Sequence, residues 1–96
     1  MPTSTPDAAV WFEFATSLSF QLGKISLLDN PPHPVISAIT LLITALQSLN
    51  RAEVCDKLED AQVTVLEWCL ESDDPACHDL QDTLEEIEDM ICSFGG

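Results

Sequence analysis

Apolar positions divide the chain into four segments with helical spacing. From Val10 to Leu28 the residues Val10, Trp11, Phe12, Phe14, Leu18, Phe20, Leu22, Ile25 and Leu28 wrap around most of a helical circumference rather than forming one stripe. The preceding residues carry helix-start chemistry: Thr5 can cap, Pro6 suits the first helical position, and Asp7 favours the positive end of the dipole. A first helix is expected over residues 6–28. The run "DNPPHP" interrupts it, because each proline disfavours helical geometry in the residue before it. Residues 29–33 therefore read as a linker, and Pro34 opens a second helix that should end near Asn50. That segment, "PVISAITLLITALQSLN", carries no charge, and its β-branched residues leave a strand as the lesser alternative.

The second half shows narrower stripes. Cys55, Leu58, Val65 and Cys69 recur at heptad-like spacing, with Gln62 as a polar interruption, and predict a third helix from Arg51 to Glu71. Cys77, Leu80, Leu84, Ile87, Ile91 and Phe94 step by three and four residues and predict a fourth. Between them "SDDP" supplies a stop, with Asp74 as N-cap and Pro75 at the first helical position. The expected fold is all-α: a four-helix bundle of two antiparallel hairpins, helices 1 and 2 apolar, helices 3 and 4 acidic. Ninety-six residues make one small domain, with residues 1–5 and 94–96 expected as frayed ends.

Charge changes this picture most. Residues 1–52 hold three acids and two bases and residues 53–96 fourteen acids and one base, so −1 and −13 make up the formal −14. A hydrophobic fraction of 46% separates the chain from acidic disorder, which combines high charge with low hydrophobicity. Asp79, Asp82, Glu86 and Asp89 fall in a column opposite the apolar stripe of helix 4, and Glu53, Asp56, Asp60, Glu67 and Glu71 in a looser column on helix 3. The plainer reading is a solvated face that keeps the protein soluble. The sharper one starts from cost: like charges at i and i+4 each lose a few tenths of a kcal/mol, which invites a basic protein partner. Fourteen acids over a hairpin roughly 28 Å long give about one charge per 2 Å, near the ~1.7 Å of duplex DNA, so the hairpin could mimic nucleic acid. The same charge argues against direct contact with nucleic acid or an anionic membrane.

The four cysteines all lie in the acidic half. An antiparallel hairpin folded near Asp73 and Asp74 brings Cys69 beside Cys77 and Cys55 beside Cys92, because each pair is nearly equidistant from the turn. Cys55 and Cys69 on one helix would stand about 21 Å apart, beyond disulfide reach, and crossing the pairs fails for the same reason. Geometry permits these bonds without requiring them. Reduced thiols in a cytosolic core remain open, as does a metal set from Cys69, Cys77, His78 and Asp73. The layout resembles the twin-cysteine helical hairpin of the coiled-coil-helix family of the mitochondrial intermembrane space. The resemblance covers the last 42 residues, with 13 residues between Cys55 and Cys69 and 14 between Cys77 and Cys92, longer than that family's spacing. It implies a disulfide-stapled structural or assembly protein of an oxidising compartment.

No catalytic site, cofactor or resident metal is expected. A calcium loop starting at Asp74 would place Ala76 at a ligand position and Asp79 where a glycine is obligatory. The carboxylates fall on predicted exposed faces, whereas acid–base pairs need environments that separate their pKa values. There is no glycine-rich phosphate loop, no zinc-protease motif and no tyrosine, and Gly95 and Gly96 read as a frayed end. The stretch "MPTSTPDAAV" lacks the basic and apolar regions of a secretory signal, and Pro34–Asn50 is shorter than a membrane span, so a cytoplasmic protein is the expectation. The functional expectation is a non-catalytic interaction module of inhibitor, adaptor or dedicated-chaperone type. Because helices 1 and 2 are apolar on nearly every side, a homodimer or a heterocomplex through them is expected, with Trp11, Phe14, Leu18, Ile39, Leu42 and Leu46 in the combined core and interface.

Overall fold

A computed structural model of the chain describes residues 8–72 and 74–92. Its elements are α1 (Ala8–Ser26), α2 (His33–Gln47), α3 (Arg51–Glu71) and α4 (Pro75–Ile87), which continues into a π-helical turn, Glu88–Cys92. The expectations placed on Thr5, Pro6, Asp7, Asp73 and Phe94, and on the two ends, lie outside the described residues.

Local chemistry sets the boundaries. α1 stops two residues short of Leu28 because its last turn tightens, with the amides of Leu27 and Leu28 donating to the carbonyls of Lys24 (3.2 Å) and Ile25 (3.1 Å). Pro32 holds an extended N-cap conformation (φ −78°, ψ 91°), so α2 begins at His33 with Pro34 in its first turn. The second segment is helical, not a strand, and it ends at Gln47 rather than near Asn50. Leu49 adopts a left-handed conformation (φ 57°) that reverses the chain, which frees Asn50 to cap the next helix. The Asn50 side chain accepts from the Glu53 amide at 3.2 Å, and Asp74 caps α4 by accepting from the Ala76 amide at 3.0 Å.

A leucine with positive φ is strained, since its Cβ crowds the following carbonyl at about 1–2 kcal/mol. Glycine removes that clash but loses more conformational freedom on folding, about 0.5–1 kcal/mol. Leu49→Gly is therefore expected to stabilise the protein by about 0.5–1 kcal/mol, raising the thermal midpoint by a few degrees. A midpoint at or below the wild type's would contradict this account of the turn.

Packing closes the helices into a ring: α1 lies on α2, α2 on α3, α3 on α4, and α4 back on α1. The α2–α3 seam is at least as extensive as the α1–α2 seam. One core results, made of one stripe per helix: Trp11, Ala15, Leu18 and Ile25; Val35, Ile39, Leu42 and Leu46; Val54, Leu58, Ala61 and Val65; and Leu80, Leu84, Ile87 and Ile91. Each fully buried leucine or isoleucine contributes about 1.5–3 kcal/mol of apolar burial. The broad apolar circumference of the first two segments is sorted by this ring, leaving Phe12, Phe20 and Leu41 outside at 46%, 67% and 49% exposure.

Polar ties join the elements. Gln21 Nε2 donates to Thr83 Oγ1 at 2.8 Å across the α1–α4 seam, and Thr83 in turn donates to the Asp79 carbonyl at 3.1 Å. Arg51 Nε donates to the Ile91 carbonyl at 2.9 Å, fastening the start of α3 to the π-helical turn. Gln62, the polar interruption of the third stripe, donates to Glu88 Oε1 at 3.1 Å.

Candidate interaction surface

All nine acids of the two expected columns, Glu53, Asp56, Asp60, Glu67 and Glu71 on α3 and Asp79, Asp82, Glu86 and Asp89 on α4, are exposed. At about 100° per residue, the α4 acids stand almost opposite the Leu80, Leu84 and Ile87 stripe. The α3 acids lean to one side. Glu67 and Glu71 line a groove with the α1–α2 linker, whereas Cys55, Gln62 and Cys69 on the other flank of α3 meet α4 and its π-helical turn. The columns therefore diverge as two ridges on separate flanks rather than merging into one plane of charge.

Countercharge is scarce. The chain has three Lys and Arg residues against seventeen Asp and Glu. Lys57 meets Asp56 at 4.0 Å, an exposed pair that contributes little. Lys24 lies over the Phe20 ring, 4.9 Å from its centroid, and Arg51 is engaged with the Ile91 carbonyl at the end of the bundle. The repulsion along both ridges is left for solvent, ions or a partner to relieve.

The cysteines stand on the α3–α4 seam. Cys55 is bonded to Cys92 and Cys69 to Cys77, each pair with a Cα–Cα distance of 5.6 Å, inside the span a disulfide requires. One staple clamps the turn and the other the open end. The sulfurs of Cys69 and Cys77 are spent on each other, so the metal set with His78 is not assembled. Among the described residues no group of three or more His, Cys, Asp or Glu is arranged to hold a metal ion.

The six residues assigned to a combined core and interface belong to the core of a single chain. Trp11, Leu18, Ile39, Leu42 and Leu46 are buried, and Phe14 is half-buried against them. The five buried side chains offer almost no surface to a second chain, and Phe14 offers part of one. The apolar surface left on α1 is a strip that includes Ala9, Phe12, Thr16 and Phe20, a feature hidden in the sequence because core and surface aromatics of α1 look alike.

Sequence reasoning also missed a concavity at the linker end. A half-open groove of about 610 Å³ runs between Asn30–Val35 and the C-terminal half of α3, where Thr64, Glu67, Trp68 and Glu71 face it. The helical spacing of those four α3 residues was available as a signal; their apposition to the prolines was not. Comparison with known protein families, characterised proteins and solved structures returns no match. Among the described residues no helix is long and apolar enough to cross a membrane.

Proposed function

We propose that the chain is a non-catalytic, acidic, helical interaction module, of inhibitor, adaptor or dedicated-chaperone type, that binds a basic protein surface. The observation that carries this reading is the full exposure of both acid ridges with so little basic charge to offset them. A cationic partner gains twice from that arrangement, by direct attraction and by relieving repulsion already present. Nucleic-acid mimicry is a narrower form, in which one ridge stands in for one strand's phosphates; two divergent ridges favour a partner that grips one flank or wraps the bundle.

The test is capture on the immobilised protein at low salt followed by elution in a salt gradient, with a ridge-reversed variant in parallel. Basic partners that elute as salt rises, and that the variant fails to hold, are expected. Retention indifferent to both salt and ridge charge would overturn the reading.

The paired cysteines favour a second element, a stapled hairpin in an oxidising compartment, over the cytosolic reading. Alkylation of protein from its natural source, before and after reduction, checks it by intact mass. No alkylated cysteine before reduction and four after it are expected; four alkylated without reduction would exclude the staples.

Self-association through the apolar half belongs to the same proposal, with the α1 strip as the contact in place of the six core residues. Phe12→Glu with Phe20→Glu is expected to convert a dimer to a monomer in light scattering without loss of helicity, since both side chains are largely exposed. A wild type that is already monomeric at micromolar concentration would remove the homodimer.

A further inference from the structure

We infer that the groove between the α1–α2 linker and α3 is an arginine-binding pocket, the point at which a basic partner is anchored. This inference rests on the interaction-module reading and gives it an address. The groove's volume of about 610 Å³ falls in the ligand-sized range of roughly 300–1,000 Å³, enough for an arginine side chain and the backbone that carries it.

The walls are chemically unequal in a way that suits one occupant. On α3, Trp68 packs against the core and also lines the groove, so its indole is held in place and remains accessible. Glu67 and Glu71 lie one turn apart on the same face and bring two carboxylates to the rim. The facing wall is built from Pro31, Pro32 and the imidazole of His33, a surface with few internal degrees of freedom. A guanidinium is planar, stacks on an indole and offers a fork of donors to carboxylates; an ammonium supplies only a compact point charge. The α3 wall stands on disulfide-anchored backbone, because Cys69 follows Trp68 directly and is tied to Cys77, and the facing wall is stiffened by its prolines. Little ordering cost therefore falls on binding.

Titration of the folded, oxidised protein with N-acetyl-arginine amide, followed by proton–nitrogen NMR, tests the pocket without a reporter mutation. The chain has only two tryptophans, and Trp11 is 5% exposed in the core, so the Trp68 indole N–H is a separate signal. A saturable shift of that signal and of the Glu67–Glu71 amides is expected. The lysine amide should bind several-fold more weakly, the uncharged citrulline amide should leave the signal still, and the Glu67→Gln, Glu71→Gln variant should lose roughly tenfold in affinity. Equal affinity for the lysine amide would overturn the assignment to arginine. A Trp68 signal that does not move, or moves only in step with amides along Asp82–Asp89, would overturn the pocket. Salt-dependent capture that survives such a result would keep the broader interaction reading intact, so the two failures are distinguishable.

Discussion

Replacing Cys55 and Cys92 together by alanine is expected to lower the folding free energy by about 4 kcal/mol, and replacing Cys69 and Cys77 by about 2.5 kcal/mol. The difference comes from loop length: the outer staple closes a separation of 37 residues and the inner one only 8, and the chain entropy removed from the unfolded state grows with the logarithm of that number. Alanine is chosen over serine because Cys77 is fully buried and a hydroxyl there would need a partner. Against the 5–15 kcal/mol typical of a small domain, loss of the outer staple is the more damaging change, and a reducing agent should reproduce the sum of both on the unmodified protein. Denaturant unfolding of the two variants measures the effect. Equal losses, or the larger loss at the inner pair, would show that native contacts rather than loop closure govern these bonds.

The same staples show where the sequence was informative. α3 runs from Arg51 to Glu71 as its spacing predicted, and α4 starts at Pro75 behind its Asp74 cap, because caps, prolines and a clean apolar stripe are local signals. The end of α2 was not legible in this way. Its last turn depends on Leu49 taking a left-handed conformation that the residue type disfavours, so the boundary is set by the reversal into α3 and not by propensity. In the first half the stripe was hidden by surplus apolar residues. Which of Trp11 and Phe12 turned inward was decided by the ring of neighbours, and five of the six residues expected in the combined core and interface are buried in the core for that reason.

The acids were legible one by one, whereas the placement of one column relative to the other was not. Each was expected to be exposed and each is. The sequence places them in one column per helix without relating the two, and the flank of α3 that meets α4 is occupied by Cys55, Gln62 and Cys69. A helix that gives one flank to disulfides must carry its charge elsewhere, and on α3 it turns toward the linker. That divergence is what places Glu67 and Glu71 at the groove, and no linear reading could show it, because the opposing wall lies more than thirty residues away along the chain.

Two ridges on separate flanks make the interface experimentally separable. Reversing Asp82, Glu86 and Asp89 to lysine changes the net charge by six, from −14 to −8, while leaving α3 and its groove untouched. Reversing Asp56 and Asp60 alters the α3 ridge and spares Glu67 and Glu71. All five side chains are exposed and lysine is a good helix former, so both variants should keep wild-type helicity and gain slightly from relieved repulsion. A partner seated on one flank is expected to lose roughly tenfold to a hundredfold in association at low salt with the matching variant, and much less with the other. Raising the salt by a few-fold should shrink the larger difference, since exposed charges more than about 10 Å apart are screened at 0.1 M. With the Trp68 pocket as anchor, the α3 variant is expected to be the weaker binder, its ridge being continuous with Glu67 and Glu71 along the same face. If both folded variants associate as fast as the wild type at either salt concentration, these five acids are solvated surface, and the partner is held at the Glu67–Glu71 groove or on the apolar strip at Phe12 and Phe20.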